Sequence, residues 1–190
     1  MIQCVVGLGN PGPDYASHRH NIGFWLLDRL AQSHHVTFRQ EKRFHGLIAQ
    51  LPTAAGNLWL LKPTTYMNQS GRAVGSLAHF YRLLPDQVLV VHDELDLPPG
   101  TVRLKQQGGH GGHNGLRDII QALGTQAFPR LRIGIGHPGH KSAVLKHVLS
   151  APGKIEDTQL QSALDQIAAI WEHIHTGNWQ SAMQTLHTQQ

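Results

Sequence analysis

Apolar positions along the chain follow two periods, and the alternation between them outlines the fold. Residues 3–8 form an apolar run of strand length, and Ile22–Ser33 carries apolar residues at helical spacing after Asn21, a good N-cap residue. Two further apolar runs, 46–51 and 57–61, flank a turn-forming segment and predict a hairpin. Helical spacing returns over 70–83, where Val74, Leu77 and Tyr81 share one face and Ser70 is placed to cap. Residues 87–92 are almost all apolar, as a central strand covered on both faces requires. Short strands are expected at 101–105 and 131–135, with a helix over Asn114–Leu123 after a glycine-rich loop. From 155 onward the pattern is helical, with Leu160, Leu164, Ile167, Trp171 and Ile174 in one stripe, a stop at Gly177, and Trp179, Met183 and Leu186 in a last helix. These patterns predict an α/β fold, one mixed twisted sheet of about five to seven strands flanked by helices on both faces. The absence of linkers and repeats predicts a single domain over 1–190, its C-terminal helices packed on the same core.

Composition narrows the setting. A chain of 190 residues can bury a core without disulfides or a structural metal. Its single cysteine, Cys4, lies in an apolar run and reads as a buried thiol in a reducing compartment. No basic leader precedes a long apolar stretch, and no apolar run approaches the roughly 20 residues of a membrane span. The expectation is a cytoplasmic chain that is neither exported nor anchored. A net charge of +4 and fifteen histidines permit a polyanionic partner without requiring one.

The distinctive polar residues cluster after strands: Gly9-Asn10-Pro11-Gly12, Pro63 through Asn68, Asp93, and the loop 108–115. In open α/β sheets the carboxyl ends of the strands form the ligand crevice, so these segments can converge. Gly7-Leu8-Gly9-Asn10-Pro11-Gly12 satisfies the G-x-G-x-x-G spacing of dinucleotide sites, but two prolines bracket its third glycine and no helix opens there. No cofactor is therefore expected. The close histidine pairs 18/20, 110/113 and 137/140 lack the cysteines or spaced carboxylates of a zinc site, so no metal is expected. No serine occupies a G-x-S-x-G elbow. Water activated by a histidine base remains, with a carboxylate to fix the ring and Asp93 the best-placed candidate. Asn10, Asn68 and Asn114 can act as neutral donors in the converging loops.

Taken together, the segment 7–12, Tyr15 with Arg19-His20-Asn21-Ile22-Gly23, and Pro63-Thr64-Thr65-Tyr66-Met67-Asn68-Gln69-Ser70-Gly71 resemble the bacterial peptidyl-tRNA hydrolases. The segments 92–100, 108–116 and 130–136 continue the resemblance in the family's order. It implies hydrolysis of the ester joining a peptide to the terminal ribose of tRNA, without a cofactor, by an enzyme of one mixed sheet that is usually a monomer. It also implies His20 as base, Asp93 as its partner, and Asn10 as a catalytic-site residue that contacts substrate and helps reject free aminoacyl-tRNA. Asn68 and Asn114 are implied to hold the peptide and the water, with Tyr15, Tyr66, Met67 and His113 lining the substrate site. Lys105 and Arg132 match a basic pair that grips the 5′ phosphate of tRNA. Tyr66 stands where the family often has phenylalanine, and Gln106-Gln107 where a smaller residue is frequent. Beyond 150 only the helical pattern is shared. An RNA-binding module without catalysis is the alternative.

Overall fold

A computed structural model describes residues 1–188. The strands are β1 (Cys4–Gly7), β2 (Arg39–Glu41), β3 (Gly46–Thr53), β4 (Gly56–Pro63), β5 (Val88–Glu94), β6 (Val102–Lys105) and β7 (Arg130–Gly134). They form one sheet in the order β2-β3-β4-β1-β5-β7-β6. The strands β4, β1, β5 and β7 run parallel, while β3 and β6 are antiparallel to their neighbours. The chain steps from β1 to one side through β4 and to the other through β5, which opens a crevice beyond the ends of these three strands.

The two-residue period of the strands builds two cores. Val5, Leu60, Leu89 and Val91 face one layer, made of α1 (Ile22–Ser33), α5 (Lys154–Ala169), α6 (Trp171–His175) and α7 (Trp179–Thr188). Cys4, Val6, Val88 and Val90 face the other layer, made of α2 (Ser70–Tyr81) and α3 (Asn114–Leu123). In α1 the residues Leu26, Leu27 and Leu30 are fully buried; each contributes about 2 kcal/mol by leaving water. The C-terminal stripe Leu160, Leu164, Ile167 and Ile174 belongs to the same cluster as the sheet. Among the described residues no helix is long and apolar enough to cross a membrane.

Four features differ from the expectations. Asn21 stands at the N-cap of α1 as expected, but its side chain makes no cap bond and is spent on the backbone of Asn10, as described below. Ser70 lies inside the first turn of α2 and donates its hydroxyl to the carbonyl of Met67, while the amide of Gly71 donates to Asp118 instead. The edge strand β2 is added to the predicted set; its three residues are polar and largely exposed, so no alternation marks it. A five-residue helix, α4 (Val144–Val148), also carries too few turns to show a period.

The glycine spacing that mimics a dinucleotide site has a packing role. A Cβ on Gly7 would lie 2.3 Å from the carbonyl oxygen of Gly23, and one on Gly23 would lie 2.4 Å from the amide of Leu8. The pair lets α1 cross β1 with backbones in contact, which places the turn before α1 beside the end of β5.

Candidate active site

Asp93 lies at the end of the fully covered strand β5 and is itself buried. Two imidazoles hold its carboxylate. His20, on the single 3-10 turn Arg19–Asn21 that leads into α1, brings Nδ1 to 3.0 and 2.9 Å from the two oxygens. His113 brings Nε2 to 2.9 Å from Oδ1. His113 is also the N-cap of α3, its Nδ1 accepting from the amides of Gly115 and Leu116 at 3.1 and 3.3 Å. A nitrogen that accepts carries no proton, so the proton of neutral His113 is on Nε2 and is donated to Asp93. His20 donates from Nδ1, which leaves its Nε2 as a free lone pair.

A third ring completes the cluster. His92 is fully buried and donates from Nδ1 to the carbonyl oxygen of Asp93 at 2.7 Å. Burial and then the neighbouring His113 push its pKa down to about 3, so it stays neutral. Burial opposes the charge on Asp93, but His20 and His113, by attraction and by their N–H bonds, hold its carboxyl well below the usual range. Burial alone would depress His20; the Asp93 charge and hydrogen bond outweigh it and raise its pKa above the ordinary imidazole value. Ligand atoms of His20, Asp93 and His113 lie within 4.8 Å of one another, a spacing that can hold a metal. Binding one would require both N–H protons to be displaced and the α3 cap to be surrendered or reversed.

Asn10, just after β1, is locked from both sides. Its amide donates to Asn21 Oδ1 at 2.9 Å and its carbonyl accepts from Asn21 Nδ2 at 2.9 Å. Its side-chain Oδ1 accepts from the amide of Met67 at 2.7 Å, which fixes the orientation of the carboxamide. Asn10 therefore presents only its NH2 donors. The same bond ties the segment after β4 to the segment after β1. Tyr66 is exposed and meets Tyr15 edge-on, ring centres 6.1 Å apart. Asn68 is exposed on the turn Met67–Gln69, and Met67 is buried. A cleft of about 450 Å³ runs beside His20, Asp93, His113 and Asn114, walled by Leu95, Val144, Leu145 and Val148.

The sequence model of the peptidyl-tRNA hydrolase family matches residues 4–190. The chain belongs to this family. It is 54% identical over 188 residues to the peptidyl-tRNA hydrolase of Nitrosospira multiformis, covering 99% of this chain and 98% of that one. The Alkalilimnicola ehrlichii peptidyl-tRNA hydrolase is 53% identical over 188 residues, covering 98% and 95% respectively. The crystal structure of peptidyl-tRNA hydrolase from Acinetobacter baumannii superposes with a TM-score of 0.94 at 43% identity, covering 97% of this chain and 94% of that one. The α/β/α arrangement is thus the fold of the family.

The basic pair expected from the sequence sits on the last two strands at one end of the sheet. Lys105 on β6 is exposed and Arg132 on β7 is partly exposed, two strands and one strand from β5. Cross-strand pairing sets Arg103 opposite Arg132 and Lys105 opposite Arg130, so all four share one face. Arg132 is not free, since it donates to Glu94 at 3.1 Å. Arg130 is turned inward to the carbonyls of Gly109, Gln126 and Phe128. Of the other paired histidines, His137 also lines the cleft, and His110, His137 and His140 each accept, through Nδ1, the amide two residues ahead and so shape their own turns.

The bond from His113 to Asp93 was not foreseen from sequence, which placed His113 only along the substrate. Its position immediately before a predicted helix was the available signal, because an N-cap residue is fixed in place with its far nitrogen pointing away from the helix. Arg19 was likewise read only as part of a motif.

Proposed function

We propose that the chain hydrolyses peptidyl-tRNA by direct attack of water, with His20 as general base, Asp93 as its partner and Asn10 as the group that selects the substrate. The activity follows from family membership; the roles rest on the hydrogen bonds around Asp93. With Nδ1 committed to Asp93, His20 can take a proton from water only at Nε2. Attack on the ester carbonyl then forms a tetrahedral intermediate and an imidazolium, whose charge Asp93 balances. Collapse returns the proton to the departing ribose oxygen, and the peptide acid and free tRNA leave. His113 shares the load on Asp93 and keeps it ionised.

The locked carboxamide of Asn10 supplies the selectivity. An NH2 donor attracts the carbonyl of a blocked amino group and cannot accept from a free ammonium, so unblocked aminoacyl-tRNA binds poorly. Tyr15, Tyr66, Met67, Asn68 and Asn114 line the path of the peptide and the terminal nucleotide. Lys105 and Arg132 contact the 5′ phosphate, which positions tRNA without reading its sequence. Every group in this scheme comes from one chain, which works as a monomer, without cofactor or membrane, in the cytoplasm where peptidyl-tRNA is made.

The single observation that carries this reading is the His20–Asp93 contact at 2.9 Å with the distal nitrogen left over. Release of N-acetyl-aminoacyl groups from tRNA by wild type and His20→Ala tests it, with unblocked aminoacyl-tRNA as control. Cleavage of the blocked substrate alone, abolished in the mutant, is expected. Binding of tRNA without turnover by either protein would assign the chain to the non-catalytic alternative.

A further inference from the structure

Arg19 stands directly before the proposed base, yet its side chain turns away from Asp93 and into the opposite wall of the molecule. It is nine-tenths buried. Its Nε and Nη2 donate to the two oxygens of Glu156 at 2.6 and 2.8 Å. Its Nη1 donates to the carbonyl of His147 at 3.0 Å, and to the carbonyl and hydroxyl of Ser150 at 3.2 and 2.7 Å. Its backbone amide donates to the same Ser150 carbonyl at 3.0 Å. The forked guanidinium thus joins the end of α4 to the first turn of α5, and both to the turn that carries His20.

Besides these bonds, partly buried Val144 and Leu149 pack the segment against the main core. From 136 to 153 only Val148 is buried, and the backbone is regular only over the turn Lys141–Ala143 and the five residues of α4. His147 adds one bond, Nε2 to the carbonyl of Ile135 at 3.1 Å. Yet the segment supplies Lys141, Val144, Leu145 and Val148 to the cleft beside His20. A stretch with few buried contacts opens at low cost unless polar bonds restrain it.

We infer that Arg19 is a positioning residue: through Glu156, His147 and Ser150 it latches the α4 wall against the turn that holds His20, so that cleft and base form one rigid unit. This inference rests on the hydrolase reading for its effect on substrate and not for the latch itself. Arg19→Lys keeps the charge but not the fork, because one ammonium cannot span Glu156 and the α4 carbonyls together. Glu156→Gln keeps the shape and removes the charge. Neither change touches the bonds to Asp93.

Hydrogen exchange and steady-state kinetics on these two variants of the full chain decide the matter. Amides of 141–152 should exchange about tenfold faster in both, with those of β1, β5 and β7 unchanged. KM for N-acetyl-aminoacyl-tRNA should rise about fivefold, while kcat stays within about threefold and the acid limb of the rate profile does not move. Unaltered exchange in 141–152, acceleration spread evenly over the sheet, or faster local exchange with unchanged KM would each overturn the latch. If wild type itself fails to turn over, the hydrolase reading falls, and the exchange data still judge the latch.

Discussion

Replacing His113 by asparagine separates its two tasks. Asparagine is a good N-cap residue, and its Oδ1 falls where the ring Nδ1 accepts from Gly115 and Leu116, so α3 keeps its cap. The side chain ends short of Asp93, and the bond at 2.9 Å to a carboxylate with 2% side-chain exposure is lost. A hydrogen bond to a buried charge contributes roughly 1.5–3 kcal/mol, so a loss of about 2 kcal/mol is expected, or about 4–8 °C in Tm for a chain of this size. His113→Ala also removes the cap and should cost about 1 kcal/mol more. Both variants give up the ring's packing against His20 and His92, but that loss does not depend on pH. The carboxylate part does. Asp93 has a depressed folded pKa, so its contribution is present above the unfolded value and disappears as pH falls through the folded one. Urea unfolding at neutral pH and below the carboxylate range therefore isolates it: the gap between wild type and His113→Asn should narrow by about 2 kcal/mol in acid. The rate profile gives a second reading. With one donor gone, Asp93 draws more strongly on the His20 imidazolium, so the acid limb should move to higher pH. A gap that stays constant with pH, or a limb that moves down, would refute the account of a carboxylate shared by two imidazoles.

Asp93→Asn should act on His20 in the opposite sense. Only burial then acts on the ring, so the acid limb moves to lower pH while the plateau falls by about 10⁴-fold as the ring loses its orienting acceptor and counter-charge; a plateau within tenfold of wild type would contradict the role. In wild type the raised His20 pKa also stabilises the fold below the ordinary imidazole value and ceases to do so as pH rises through the folded one, a decline absent from Asp93→Asn in urea titrations. Lys105→Ala should weaken tRNA binding and lower the slope of log affinity against log salt by about one, with hydrolysis of short model esters unchanged. Gly23→Ala forces a methyl to 2.4 Å from the amide of Leu8 and should cost more than about 3 kcal/mol in urea unfolding or abolish folding, through overpacking of α1 on β1.

Much of this protein is determined by its sequence read alone. The strand and helix periods of β1, β5, α1, α2 and the C-terminal helices are local properties of where apolar side chains fall, and each element occurs where its period predicts. Asp93 was identifiable because a nearly continuous apolar run ended on it, and His20 because it stands in a motif of the family. The edge strand β2 escaped because three exposed polar residues carry no period, and α4 because five residues hold barely more than one turn. Asn21 and Ser70 show why capping preferences mislead: a side chain that can cap takes whichever donor or acceptor the rest of the fold brings within reach. What only the tertiary structure decided is how distant groups share partners. The depressed pKa of Asp93 and the orientation of Asn10 each depend on a bond between residues 20 or more positions apart. The hold of Arg19 on α4 and α5 spans 128 or more. Hydrogen bonds of that kind leave no trace in local spacing, because they form only when packing of the two cores sets the ends of β1, β4 and β5 side by side.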